Sequence, residues 1–271
     1  MPRVDFGTKA ADYAAIAHQV SRNIASAALK HTPQLAPSSH VLDLACGSGE
    51  VTSVLMENAA AQGDQQLPTI IGLDIAPEMV QLYKERAETN AWTTVSAQVQ
   101  DAQDLGEFTD AQFDLVFMSF GLMYVPDPAR CTREVFRVLK PGGHAVFTTW
   151  KEAAVPRLLA QATAAASCSC FTQPTDGAWG TKEKLVSTVK DGGFATHNIQ
   201  VVVEETKFDR GNGDGIAEAL SRPSWNPLHD GTSEATLKWQ SILREQMTPT
   251  QRENGTLDMI SWVCIARKNM Q

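Results

Sequence analysis

A parallel β-sheet covered on both faces by helices is the architecture this sequence predicts, and three observations predict it. Short apolar runs alternate with helical segments from about residue 40 onward. A glycine-containing turn, Cys46-Gly47-Ser48-Gly49, follows the first run directly. Acidic residues close or follow three successive runs: Asp43, Asp74 and Asp101. Parallel strands need long crossover connections, and the helices that supply them cover both faces of the sheet.

Taken in order, the Ala-rich segment 9–31 reads as an N-terminal helix. The runs HVLDLA (40–45), TIIGLDI (69–75), TVSAQV (94–99), FDLVFMSF (113–120) and HAVFTTW (144–150) read as buried strands. Each is short, rich in β-branched or aromatic residues, and followed by a turn or helix start. The helix after TIIGLDI opens at Ala76-Pro77-Glu78, with proline where a missing N–H costs nothing. Asp127-Pro128 starts the next and Lys140-Pro141-Gly142-Gly143 stops it. Arg130, Arg133, Arg137 and Lys140 recur on one side of that helix, opposite Val135, Val138 and Leu139, and are expected to form a solvated face.

Beyond Trp150 the pattern loosens. Segments 155–166, 182–190 and 233–247 read as helices, 198–207 and 258–268 as strands, and 209–232 as loop-rich. Residues 151–180 and 209–255 are therefore read as insertions that cap a single domain spanning 1–271, with a core at 40–150 and a closing strand at 258–268.

Composition narrows the function. The chain has 271 residues, 43% of them hydrophobic and 20% charged, the proportions of a globular protein. Lys and Arg number 23 against 31 Asp and Glu, a net charge of −8 that repels a polyanion, so no nucleic-acid partner is expected. The longest apolar stretch, 115–125, is too short to span a bilayer, and no membrane partner is expected. Without a leader pattern, five cysteines read as reduced thiols and the expected location is cytoplasmic. No metal is expected, because the six histidines and five cysteines show no ligand spacing. Oligomeric state leaves no signature.

The glycine turn carries the strongest chemical signal. Glycines let a ligand approach the backbone, and the helix that follows offers free N–H groups. Such a turn alone is weak evidence, and each acid alone is more often a helix cap. Together they line one crevice at the carboxyl ends of the strands and point to a nucleoside-type cofactor. A dinucleotide is disfavoured, because Thr52 stands where a third glycine would be needed and Asp43 would repel a pyrophosphate. Asp43 suits a ligand that carries positive charge.

With these motifs, Asp43 to Gly49, Asp74, Asp101, FDLVFMSFGLMYVPD and REVFRVLKPGG before HAVFTTW, the chain resembles the class I S-adenosylmethionine-dependent methyltransferases over 40–150 and the closing strand. The order of motifs resembles the branch that methylates small molecules. FGTK near the N-terminus and the Thr-Trp ending the fifth strand are also similar to fungal secondary-metabolite methyltransferases. The resemblance implies a Rossmann-like, mostly parallel seven-stranded sheet and the cofactor S-adenosyl-L-methionine, leaving as S-adenosyl-L-homocysteine. It further implies cofactor contacts from Asp43, Ala45 (in place of the family's first glycine), Cys46, Gly47, Gly49, Asp74, Ile75, Met79, Asp101, Ala102, Ser119 and Phe120. Tyr13 corresponds to an aromatic that folds over the methionine end of the cofactor.

Tyr124, Trp150, Phe171, Trp179 and Trp225 are the candidate substrate-pocket residues, and His229 the candidate base, against the bland alternatives of packing and a surface histidine. The expected activity is methyl transfer to a small organic, secondary-metabolite-type acceptor, driven mainly by positioning. A fold relative serving as a non-methylating isomerase or pericyclase, or as an interaction subunit, would keep the same cofactor motifs.

Overall fold

The computed structural model describes residues 10–62, 67–168 and 179–270. Helix α1 (Ala10–Leu29) precedes an alternation of β1 (His40–Leu44), α2 (Glu50–Ala61), β2 (Thr69–Asp74), α3 (Pro77–Thr89), β3 (Val95–Val99), β4 (Phe113–Ser119), α4 (Pro128–Val138) and β5 (Leu139–Ala153). Then come α5 (Ala154–Ala165), α6 (Lys182–Asp191), β6 (Ile199–Asp209), α7 (Gly213–Ala219), α8 (Ser233–Gln246), α9 (Pro249–Asn254) and β7 (Thr256–Arg267). The seven strands lie in the order β3-β2-β1-β4-β5-β7-β6. The pairs among β1 to β5 are parallel, and β7 runs antiparallel between β5 and β6. This is the Rossmann-like sheet the sequence predicts, its parallel part closed by an antiparallel hairpin.

Side-chain alternation along the strands builds two cores. Val41, Leu115, Phe117 and Val146 point to the face covered by α1 and α2. Their chain neighbours Leu42, Val116, Met118 and Phe147 point to the opposite face, against Val135 of α4 and Leu185 of α6. Being buried on both sides, these strands are apolar throughout, which is why they are legible as continuous runs. Burying each such side chain contributes about 1.5–3 kcal/mol.

A third core unites the two insertions with the N-terminal helix. Ile16 and Val20 of α1 meet Leu158 and Leu159 of α5, Ile216 of α7, and Trp239 and Leu243 of α8. Trp239 is fully buried, and its Nε1 donates to the Leu220 carbonyl at 3.0 Å. Helix α7 falls in the stretch read as loop-rich, and α9 in a part of the second insertion given no element. Their starts carry signals, since Asn212 caps α7 and Thr248 with Gln251 forms a capping box at α9.

The basic stripe of α4 departs from expectation. Arg130 and Arg133 are exposed, but Arg137 donates to the Leu105 and Phe108 carbonyls and to Glu134 and Asp110, each at 2.8 Å. Lys140 reaches Asp114 at 2.7 Å. Arg137 therefore ties α4 to the loop before β4, and Lys140 ties the start of β5 to β4, because such long stems can turn from solvent toward nearby acceptors.

Candidate functional site

The carboxyl ends of β1, β2 and β3, adjacent in the sheet, carry Asp43, Asp74 and the residues leading to Asp101. Between β1 and α2 the backbone passes through left-handed conformations at Ala45 (φ 54°), Gly47 (φ 51°) and Gly49 (φ 88°). A Cβ on Gly49 would lie 2.9 Å from the Tyr83 ring, so that glycine is required by packing. A Cβ on Gly47 would meet nothing within 4 Å: this side of the turn faces open space. Ala45 keeps the left-handed geometry without being glycine, a strain of about 1 kcal/mol. Ala45→Gly is therefore expected to raise the melting temperature by about 2–4 °C in a calorimetric scan.

Asp43 is buried, with 1% of its surface exposed. Its Oδ2 accepts from the Thr52 hydroxyl at 2.8 Å and the Thr52 N–H at 3.2 Å. The Thr52 hydroxyl also meets the Tyr83 hydroxyl at 2.7 Å. Asp43 Oδ1 is buried and has no hydrogen-bond partner. Burial pushes the Asp43 carboxyl up to about 7, against the two Thr52 bonds that favour its ionised form. A buried acceptor oxygen left over beside an open turn is complementary to a cationic group. Thr52, at the third-glycine position, is thus the residue that fixes Asp43.

Asp74 accepts from the Gly47 N–H through Oδ2 and the Ala76 N–H through Oδ1, both at 2.9 Å. Each oxygen keeps a further lone pair, and burial raises its pKa against those backbone bonds. Asp101 is half-buried and accepts from the Gln103 N–H at 2.9 Å. Ala102 packs at the edge of the core under α4. Ile75, next to Asp74, is 46% exposed, an apolar side chain left uncovered beside the crevice. Met79 is buried with Ala10 and Ala76, and Tyr13 packs on that group. Cys46 is buried with Tyr83, and burial holds its thiol well above the usual range.

A buried ion network beside the turn has no counterpart in the sequence reading. Glu50 opens α2 and receives Arg86 of α3 at 2.9 Å, His18 of α1 at 3.1 Å and Ser48 at 2.8 Å. Burial pushes its carboxyl up, but these partners together hold it below the ordinary range. Its contribution to stability is accordingly present above that range and lost as pH falls through the depressed value. Arg86→Met strands the carboxylate and is expected to cost about 3 kcal/mol in urea unfolding at neutral pH, with a smaller loss at pH near 4. Equal losses at both would contradict the assignment.

Beside Tyr124, which follows β4, and Trp150 of β5 lies an aromatic cleft. Tyr13, Tyr124, Trp150, Phe208 and Trp225 line it, with Val20, Leu159 and Met259 among its other walls, around a cavity of about 60 Å³. Phe120 stacks on Trp150 at 3.7 Å between centroids, and it holds φ 53°, a strained conformation for so bulky a residue. Its N–H donates to the Thr148 hydroxyl at 3.0 Å, and Ser119 lies 3.4 Å from the same hydroxyl. Tyr13 and Trp225 rings stand 6.1 Å apart. Burial pushes the Tyr124 phenol up to about 12 and the Tyr13 phenol higher still, so both stay protonated near neutrality.

Three of the pocket candidates, Tyr124, Trp150 and Trp225, are therefore brought together with Tyr13. Trp179 is not among the cleft's lining residues; the Lys184 ammonium stands 5.3 Å from its ring centroid instead. His229 is exposed and lines no part of the cleft. The turn in which Asn226 accepts from the His229 and Leu228 N–H groups leaves Asn226 buried and the histidine outside the cleft. Phe171 lies outside the described residues. A second hollow, between α3 and β3 around Trp92, sits on the flank of the sheet and gathers none of these acids.

A methyltransferase-domain family model matches residues 35–205. The methyltransferase tpcH of Aspergillus fumigatus is 24% identical over 223 residues, 82% of this chain and 74% of that protein. The demethylmenaquinone methyltransferase of Lactiplantibacillus plantarum is 38% identical over 113 residues, 41% of this chain and 45% of that protein. Among solved structures, the [4+2]-cyclase SpnF superposes with a TM-score of 0.59 at 19% identity, covering 93% of this chain and 83% of that one. This last likeness concerns the fold alone.

Proposed function

Since the chain belongs to the class I S-adenosylmethionine-dependent methyltransferases, we propose that it methylates a small, apolar organic acceptor held in the aromatic cleft. The observation that carries this reading is that Tyr13, which lines a cleft walled by aromatic rings, also packs on Ala76 and Met79 next to Asp74, whose carboxylate holds the open glycine turn beside the unpartnered Asp43 oxygen. Demethylmenaquinone, the acceptor in the name of one relative, is consistent with an apolar acceptor.

The residues fit the cofactor. Gly47 leaves room against the backbone, and Asp74 offers lone pairs to ribose hydroxyls. Asp43 offers a buried oxygen to a cationic group. Ile75, Met79 and Ala102 would supply apolar surface for the base, and Asp101 would accept from its amino group. Ser119 and Phe120 close the end near Trp150, and Tyr13 covers it from α1. When bound, S-adenosylmethionine supplies a methyl group on an activated sulfonium. The chain's own residues then exclude water and align the acceptor, and positioning provides most of the rate effect. The cleft is walled by rings whose faces tolerate a cation.

Incubating the protein and methyl-labelled cofactor with small-molecule extracts tests this directly. A labelled product formed in step with S-adenosylhomocysteine is expected. Cofactor binding without any S-adenosylhomocysteine would replace transfer by a non-methylating role at the same site.

A further inference from the structure

We infer that Thr148 is a positioning residue for methyl transfer: its hydroxyl latches the turn after β4 and, through Phe120, fixes where Trp150 stands relative to the cofactor's methyl group. The inference rests on the cofactor and acceptor sites proposed above. It starts from a conformational outlier. Phe120 comes directly after β4, is 4% exposed and holds φ 53°. Such strain in a bulky residue persists only where the surroundings over-determine it. Thr148 supplies one constraint. The ladder between β4 and β5 pairs Ser119 with Thr148, and the Phe120 N–H extends it to the Thr148 carbonyl at 3.2 Å. The same N–H also donates to the Thr148 hydroxyl at 3.0 Å. Any residue at this position would offer the carbonyl, whereas the hydroxyl is particular to threonine or serine. Thr148 has no exposed surface, and the Ser119 hydroxyl lies 3.4 Å from its own.

Gly121 supplies the second constraint. A Cβ there would lie 2.5 Å from the Ala45 Cβ and 2.8 Å from the Met118 Cε. The turn after β4 is therefore wedged against the glycine turn after β1, its neighbour in the sheet, whose Ala45 is itself left-handed. On the other side the Phe120 ring covers Trp150, with 3.7 Å between centroids and 12° between planes, and Trp150 lines the cleft. One short path thus runs from the cofactor turn through Gly121 and Phe120 to the cleft wall, and Thr148 fastens that path to β5. Without the hydroxyl, the carbonyl alone holds the strained N–H, and the turn can relax and carry its ring along Trp150. A misplacement on the order of 1 Å is enough to cost a large part of the rate of transfer.

S-adenosylmethionine with an isotope-labelled methyl carbon, bound to the full chain and observed by NMR, tests this without turnover. The ring current of Trp150 is expected to displace the methyl signal from its position in free solution. Thr148→Val and Thr148→Ala keep the carbonyl bond and lose the hydroxyl. In both, the displacement is expected to fall to about half or less, since a ring current weakens with roughly the cube of distance and the loss of position is on the order of 1 Å. Thr148→Ser keeps the hydroxyl and is expected to retain the wild-type signal. Affinity, read by calorimetry, should stay within about threefold of wild type in every variant, because Asp43 and Asp74 stand on other strands. Urea unfolding checks the fold, and Thr148→Ala, which adds no bulk, decides the matter should the valine methyl prevent folding. A wild-type signal at the free position would overturn the inference. So would equal displacement in wild type and Thr148→Ala, or a serine variant that behaves like the alanine one. A wild-type protein that does not bind S-adenosylmethionine in the calorimeter would overturn the underlying reading as well.

Discussion

Asp74→Ala is expected to weaken S-adenosylmethionine binding by at least about 1.4 kcal/mol, one tenfold step in affinity. Two losses combine in this variant. The ribose hydroxyls lose a charged acceptor, and hydrogen bonds to a charged group are worth about 1.5–3 kcal/mol each. The turn also loses its clamp, because the same carboxylate fixes the Gly47 and Ala76 N–H groups. The isosteric Asp74→Asn keeps only one oxygen and is expected to fall between the two. Calorimetric titration, with urea unfolding to measure the fold separately, checks both. Unchanged affinity in Asp74→Ala would remove the ribose assignment.

Substitution at the two turn glycines is expected to give opposite outcomes. Gly49→Ala places a methyl 2.9 Å from the Tyr83 ring at a position with φ 88°. Tyr83 cannot retreat easily: a Cβ on Gly72 would lie 2.7 Å from the same ring, and its hydroxyl is bonded to Thr52. Strain and overpacking add, and a loss of about 3 kcal/mol is expected in urea unfolding. Gly47→Val meets open space instead, so the fold is expected to survive with a cost of about 1–2 kcal/mol from the left-handed backbone. Its side chain fills the space assigned to the cofactor, and affinity should fall by at least about tenfold. A Gly47→Val protein that binds normally would put the cofactor elsewhere.

What could be read from the sequence follows from which interactions are local. The strands were legible because a doubly covered sheet needs continuous apolar runs such as Phe113–Ser119. Asp43 and Asp74 were legible because their places are fixed by chain order relative to the glycines. The supports of those acids were not. Thr52 and Tyr83, 31 residues apart, and Glu50 with His18 and Arg86, meet only through the packing of α1, α2 and α3, which leaves no period in the chain. Left-handed Ala45 and Phe120 were illegible for a different reason, since neither residue type announces that backbone. The cap was half-read: Trp225 belongs to the cleft, while His229, four positions on, is turned outward by the loop around Asn226.

Asp43 concentrates the central claim, because its second oxygen is held by Thr52 and its first is left for the ligand. The direct measurement is calorimetric titration of S-adenosylmethionine into the wild-type protein and Asp43→Asn between about pH 5.5 and pH 8. Burial holds the free carboxyl up to about 7, so below that value a proton must leave before the cation can pair with it. Wild-type affinity is expected to rise with pH and level off above about 7, and the Asn variant to bind more weakly with little of that slope. Equal affinities with the same pH dependence in both proteins would contradict the account.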